Sequence, residues 1–349
     1  MEPTLTAVIA APPSSAHRRR ASRRWIGFAA ALAVLFVVIA LSIAIGSRTI
    51  SFATVWQVLW HPDNSAESAI VHDLRLPRTL LGVGVGAALG LAGTVMQALT
   101  RNPLAEPGLL GVNMGASTSV VFAIAFLGVT TASGYVWFAF AGAALTSAAV
   151  FALGGAGRHP TPERQILAGV SITAVLGAAV WVVLVLRREA FDRYRHWDVG
   201  SFSDRDSGTV LRVLPFLAAG IVLALVLGRQ LNALSLGDDS ATSVGAHPVR
   251  IRALGLLAVT LLCGAATAAA GPIWFLGLAV PYAARMIVGS DYRWILAYAV
   301  LLGPALLLGA DVLGRILVVP AELPVGVVTA FLGAPLFIAL CRRPRLSSL

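Results

Sequence analysis

Lysine is absent from this 349-residue chain; all 26 basic residues are arginine. A phosphate-cradling loop of the Gly-Lys-[Ser/Thr] type therefore cannot be built here, so the chain holds no ATP site of that kind. A Schiff-base lysine is excluded for the same reason. Charge is scarce as well: 12% of residues are charged, against about 25% in a soluble domain. Cysteine is limited to Cys263 and Cys341, both in apolar stretches. They read as small buried residues rather than a disulfide framework or a metal knuckle.

What is abundant is apolar sequence, 58% of the chain, with a mean hydropathy of +0.83. That balance excludes a soluble enzyme, a disordered chain and a nucleic-acid binder, and predicts an all-α polytopic membrane protein. The formal charge of +10 does not point to DNA, because the arginines sit between apolar runs and make no continuous basic face.

Charge-free windows place the spans. One arginine at mid-span costs about 3 kcal/mol, which offsets about six leucines at roughly 0.5 kcal/mol each. Residues 25–45 and 79–100 are two such windows. The uncharged stretch 107–157 is too long for one crossing and splits near Gly128–Gly134. Residues 165–186 make the fifth span and 213–228 a short sixth, with Arg212 and Arg229 snorkelling. The stretch 253–284 divides at Gly271-Pro272, and 294–310 and 323–341 bring the expected count to about ten. The first window exceeds a signal-peptide core and lacks a clean Ala-x-Ala site, so it reads as an anchor.

An even number of spans puts both termini on one side. Arg18, Arg19, Arg20, Arg23 and Arg24 precede the first span, and Arg342, Arg343 and Arg345 follow the last. The positive-inside rule places both ends in the cytoplasm of a cell-membrane protein. On that topology 16 arginines face in and 10 face out. The expected organisation is a disordered basic arm at 1–24, a membrane domain at 25–341 and a cytoplasmic tail at 342–349. Arg75, Arg78 and Arg315 lie outside, against the charge rule, with few acidic neighbours in sequence. They read either as interfacial anchors or as a docking surface for an acidic partner. The loop 187–212 mixes arginines with five acidic residues and reads as a self-paired surface.

Gly82, Gly86 and Gly90 recur every four residues and predict close approach of another helix. The histidines (His17, His61, His72, His159, His196 and His247) all avoid the spans, which argues against haem ligation within the bilayer. Mid-span carboxylates are nearly absent, which argues against an ion-coupled secondary transporter. No nucleophile–base set or metal cluster assembles, so no catalytic residue, metal or cofactor is expected, and a membrane-embedded enzyme is disfavoured. Two loops stand out. Arg101-Asn102-Pro103-Leu104-Ala105-Glu106-Pro107-Gly108 predicts a rigid turn. Residues 234–246 predict a short helix, N-capped by Asp238 or Asp239 and ended by Gly245. Gln97, Asn113 and Ser117 are the candidate polar groups lining a path through the bundle.

Several ordered blocks resemble the FecCD permeases, the membrane subunits of ABC importers for ferric siderophores, haem and vitamin B12. They are Arg75-Leu-Pro-Arg78, Met96-Gln97-Ala98, and Arg101-Asn102-Pro103 through Gly111. Leu236-Gly237-Asp238 through Ala241 and Gly245 is similar to that family's coupling loop, and Ala270-Gly271-Pro272 through Pro281 and Arg285 to the start of its eighth span. Ala310-Asp311 through Arg315, Glu322-Leu-Pro324 and Leu332-Gly333-Ala-Pro335 are similar to its C-terminal block. The resemblance implies a BtuC-like bundle of ten spans that pairs with a second permease subunit, as a homodimer or a heterodimer. It further implies two ATP-binding subunits that bind ATP and magnesium, and an extracytoplasmic substrate-binding protein. It assigns Arg75, Arg78 and Arg315 to docking of the binding protein. It assigns Leu236, Gly237, Asp238, Ala241 and Gly245 to the contact with the ATP-binding subunit. A ferric siderophore is the expected cargo, from the family's most populous branch, with haem or cobalamin as alternatives. Tyr282 stands where the family usually has histidine.

Overall fold

The most apolar helix is not the most buried one. A computed structural model describes residues 15–46, 48, 50–129, 131–155, 162–203, 207–318 and 321–342. In it α1 (Ser15–Ala44) reaches a mean hydropathy of 2.8 with only 17% of that window buried. The rod ending in α4 (Leu76–Thr100) reaches 1.8 and is 83% buried. Lipid is as apolar as leucine, so hydropathy does not sort helices inside a bilayer; close packing of small residues does. Gly86 shows how: a Cβ there would lie 2.6 Å from the backbone of Pro304, and one on Gly303 would lie 2.1 Å from the Gly86 carbonyl oxygen. Both residues of this contact must be glycine, and α4 thereby meets α14 (Tyr292–Leu317) backbone to backbone.

Around α4 the described residues form helices throughout. The preceding elements are α2 (Phe52–Trp60), α3 (Ala66–Ala69) and a π-helical turn Ile70–Arg75 that runs straight into α4. A 3-10 turn, Pro107–Leu110, leads into α5 (Val112–Leu127), α6 (Ala132–Gly155), α7 (Pro162–Leu186), α8 (Arg188–Asp198) and α9 (Ser207–Val226). The chain continues through α10 (Gly228–Ser235), α11 (Asp238–Ser243), α12 (Pro248–Ala270), α13 (Leu276–Val288), α14 and α15 (Val325–Cys341).

Among the described residues seven helices are long and apolar enough to span a membrane, and α5, α13 and α15 are shorter apolar helices. At about 1.5 Å per residue the 13 residues of α13 cover only about 20 Å of a core roughly 30 Å thick. The non-helical Gly271–Phe275 segment joins it to α12. Irregular backbone inside a bilayer must be enclosed by protein, and two hydrogen bonds hold the two ends of this segment. Ser201 N–H donates to the Ala270 carbonyl at 2.8 Å, and Phe275 N–H donates to the Glu106 carboxylate at 2.6 Å. Phe275 holds a left-handed φ of 68° there, and Gly333 of α15 packs directly on its ring. Pro281, Pro304 and Pro335 sit inside α13, α14 and α15, and the Pro324 carbonyl accepts the first amides of α15.

Three sequence-based boundaries move. Helix α1 begins at Ser15, ahead of the expected start of the first span at residue 25. Arg24 is anchored there, donating to the Val288 carbonyl at 3.2 Å and stacking 5.8 Å over Trp294. Residues 1–14 and 343–349, where the rest of the arm and tail were expected, lie outside the described residues. The second span reaches back to Ala66 and the ninth runs on to Leu317, so Arg75, Arg78, Asp311 and Arg315 are within helices, not in loops. Charge-free windows stop at these residues; the helices do not, because Asp311 pairs Arg78 and Arg315 and backbone carbonyls take Arg75.

Candidate functional site

At one end of the bundle the arginines turn inward. A helix C-terminus leaves four carbonyls without partners, and the end of α1 solves this with side chains from two other helices. Arg75 donates to the carbonyls of Ile43 (2.9 Å), Ala44 (2.7 Å) and Arg48 (2.6 Å). Arg315 donates to the carbonyls of Ser42 (2.7 Å) and Ile45 (2.9 Å), and pairs with Asp311 one turn back on α14. Arg78 crosses from α4 to Asp311 at 2.7 Å and to Glu322 at 2.6 Å. Arg75, Arg315 and Asp311 are 5%, 1% and 0% exposed. The two outermost arginines of the expected docking set are thus internal, and do not stand free on the surface as the charge rule suggested. A cavity of about 190 Å³ opens onto them, lined by Arg48, Arg75, Arg78, Arg315 and Glu322. Of these four guanidinium groups, Arg78 and Arg315 share Asp311, Arg78 also holds Glu322, Arg48 pairs with Glu67 at 3.4 Å, and Arg75 is held by backbone carbonyls.

At the α11 end, Gly237, at φ 107°, starts the helix with no side-chain cap. The sequence-based N-cap is therefore corrected: Asp238 is the first helical residue and its carboxylate is used elsewhere. Arg252 of α12 reaches both of its oxygens at 2.9 Å, and Arg101, which closes α4 in a left-handed turn, pairs with it too. Burial alone would raise this carboxyl, but the hydrogen bonds and charges of Arg252 and Arg101 outweigh it and hold the group below the usual aspartate range. The expected stop at Gly245 is present as a full motif. Ala246 N–H bonds the Ala241 carbonyl at 2.9 Å and Gly245 N–H the Thr242 carbonyl at 3.0 Å, with Gly245 at φ 80°. Ala241 is buried, whereas Leu236 just before the helix is 66% exposed. The result is a short, rigid helix on the end of the bundle, tied to α4 and α12 through one carboxylate.

The candidate path residues divide. Asn113 and Ser117 of α5 line a cavity of about 250 Å³ closed by Trp181 of α7, Tyr194 of α8 and Trp274. Asn113 also accepts a hydrogen bond from Thr267 at 3.0 Å. Gln97 does not join them: it is 1% exposed within α4, and its amide has no hydrogen bond among the described residues. The loop after α4 is the rigid turn expected, with Leu104 N–H donating to the Asn102 side chain at 2.9 Å and Pro103 held between them.

Sequence reasoning missed the partners. Asp311 and Arg315 stand four apart, a helical pairing spacing that could have been read. Arg101, Glu106 and Arg252 gave no such signal, because their partners are Asp238, Phe275 and Asp238, far away in sequence or across a loop. The loop 187–212 is also less uniform than expected. It forms α8, with an exposed Arg195–Asp192 pair at 3.6 Å and a Tyr194 hydroxyl donating to Asp198 at 2.6 Å.

Residues 34–343 match the FecCD transport family. The chain belongs to that family. Among FecCD relatives it is 48% identical over 314 residues to the ferric enterobactin transport system permease protein FepD of Escherichia coli, covering 89% of this chain and 93% of that one. It is 40% identical to the hemin transport system permease protein HmuU of Yersinia pestis, covering 93% and 96%. Its fold is similar to a solved structure assigned to the metal-chelate type of ABC transporters, in an inward-facing conformation. The TM-score is 0.79 and the identity 27%, over 90% of this chain and 98% of that one. This FecCD chain is accordingly a multi-pass membrane permease subunit of an ABC importer, and ATP hydrolysis resides on separate subunits.

Proposed function

We propose that this permease carries a ferric siderophore inward by alternating access, driven by ATP-binding subunits on the α11 side. The observation that carries the cargo is the 48% identity to a ferric enterobactin permease over nearly the full length of both chains. The geometry supports the mechanism. Helix α11 is small enough to sit in a groove of a motor subunit, and Asp238 links it to Arg101 and Arg252. A push on α11 is therefore delivered to α4 and α12 together, and these helices pack against the buried centre of the bundle. The α11 side faces the cytoplasm, and Arg24 near the start of α1 is on it, paired with Asp291 beside Asn232 of α10.

A binding protein delivers the cargo at the opposite end, where the arginine-lined socket receives a carboxylate; Arg48, exposed beside Glu67, is its accessible cation, Arg78 is held by Asp311 and Glu322, and Arg75 and Arg315 form its floor. A second permease subunit faces α7. That helix is only 17% buried, and its exposed Trp181 closes the cavity at Asn113 and Ser117. The sparse polarity of that cavity suits a bulky chelate that must pass without being held.

The test is competition. Vesicles carrying the assembled importer and its binding protein are given radiolabelled ferric catecholate, haemin or cobalamin. Uptake of the ferric siderophore, unaffected by excess haemin or cobalamin, supports the reading; uptake of haemin or cobalamin in its place rejects it.

A further inference from the structure

Beside α11 lies a third cavity, which shares Gly245 with the expected contact to the ATP-binding subunit. It measures about 390 Å³ and is lined by Arg229 and Gln230 of α10, Val244 to His247 of the linker, and Arg250, Ile251 and Leu254 of α12. Arg229 and Arg250 are exposed and make no ion pair or side-chain hydrogen bond among the described residues. This contrasts with Arg101 and Arg252 nearby, which are both committed to Asp238. His247 begins α12 without a side-chain cap, so the positive end of a 23-residue helix faces the same space. Two unpaired guanidinium groups, an imidazole, an amide and a helix N-terminus converge on one cavity. That donor set, with no acid in the lining, fits a phosphate ester.

The other wall indicates where the phosphate comes from. Ile251, Leu254, Ala233 and Val244 make an apolar floor. Leu254 and Leu257 follow Arg250 at four and seven residues, on one face of α12. Leu257, with Val222, Leu225 and Val226 of the adjoining α9, is exposed on the bundle surface. The basic cavity thus lies at the end of two packed helices, α9 and α12, that expose apolar side chains suited to an acyl chain.

We propose that this cavity binds the phosphate headgroup of an anionic phospholipid, its chain lying along α9 and α12. Its lining includes Val244, Gly245 and Ala246, the turn that ends α11, so a bound lipid braces α11 on that side. The effect on transport rests on the reading of α11 as the coupling helix; lipid binding does not.

The test uses the purified full-length chain in detergent, titrated with short-chain (dihexanoyl) phosphatidylglycerol, dihexanoyl phosphatidylcholine or inorganic phosphate. Phosphatidylglycerol is expected to bind about thirtyfold more weakly to Arg229→Gln/Arg250→Gln, and Arg229→Lys/Arg250→Lys to retain most of the affinity. Equal binding by wild type and the glutamine variant, or equal binding of both lipids, overturns the proposal. So does inorganic phosphate binding as tightly as phosphatidylglycerol. Loss of the ATP-binding subunit on co-purification, with lipid affinity unchanged, assigns the cavity to a protein partner and also overturns it. If the glutamine variant does not fold, the single Arg250→Gln and the lysine variant decide. Failed siderophore uptake with the lipid preference intact counts against the transport reading alone.

Discussion

Asp238 takes the guanidinium of Arg252 with 2.9 Å to each of its oxygens. Through this contact and the one to Arg101, a six-residue surface helix is mechanically part of two long buried ones. Asp238 is 45% exposed on its side chain, so screening leaves its charge roughly 0.2–1 kcal/mol of stability, but Arg252 is only 8% exposed and needs an acceptor. Asp238→Asn, which keeps an acceptor for Arg252, should therefore melt near wild type while uptake falls several-fold and ATP hydrolysis by the assembled importer continues. Parallel loss of stability and uptake would make the contact structural only.

The pH dependence of the same contact has a definite sign. The folded carboxyl lies below its ordinary value, with burial opposing and Arg252 and Arg101 prevailing. Its contribution is complete above the unfolded value, about 3.9, and is lost as pH falls through the lowered one. Hydrogen exchange in α11, corrected for intrinsic rate, should be unchanged between neutral pH and pH near 5. Loosening of α11 in that interval would mean that Asp238 is not held by its arginines.

The buried cluster at the other end should behave differently. Asp311 is fully buried between Arg78 and Arg315. Removing it strands two guanidinium groups, at about 3–5 kcal/mol. Asp311→Ala should lower the melting temperature of the detergent-solubilised protein well below that of Glu322→Ala, whose carboxylate is 23% exposed. Equal melting temperatures would contradict the cluster.

Docking can be separated from folding by choosing the right arginine. Arg48 lines the socket with its side chain 61% exposed. Arg48→Glu should slow association of the binding protein in a salt-sensitive way, with little change in melting. Arg75→Glu and Arg315→Glu should instead unfold the end of α1, whose carbonyls they hold. A stable Arg75→Glu protein would show those bonds to be dispensable.

The α4–α14 contact supplies an internal control. Gly86→Ala drives a methyl against Pro304 at 2.6 Å and should cost about 1–3 kcal/mol. Gly309→Ala, in the same helix pair with no atom within 4 Å of the added carbon, should be neutral or slightly stabilising.

The spans, the Gly82–Gly86–Gly90 face, the break at Gly271-Pro272 and the stop at Gly245 were all legible in sequence. Each follows from a local property: the cost of charge in lipid, the missing Cβ of glycine, the missing N–H of proline. The pairings were not. Arg78 meets Asp311, and Arg101 meets Asp238, across most of the bundle's connectivity, and no local pattern encodes such distances. For that reason Arg75 and Arg315 read as surface cations although tertiary carbonyls bury them. Asp238 likewise read as a helix cap, although two distant arginines claim its carboxylate.

Reconstitution tests the central claim, a permease with no motor of its own, most directly. Labelled ferric siderophore and its binding protein are supplied outside proteoliposomes, with ATP sealed inside. The purified chain alone should accumulate nothing against a gradient, and adding its ATP-binding subunits should start uphill uptake. Uphill uptake by this chain alone would contradict the account.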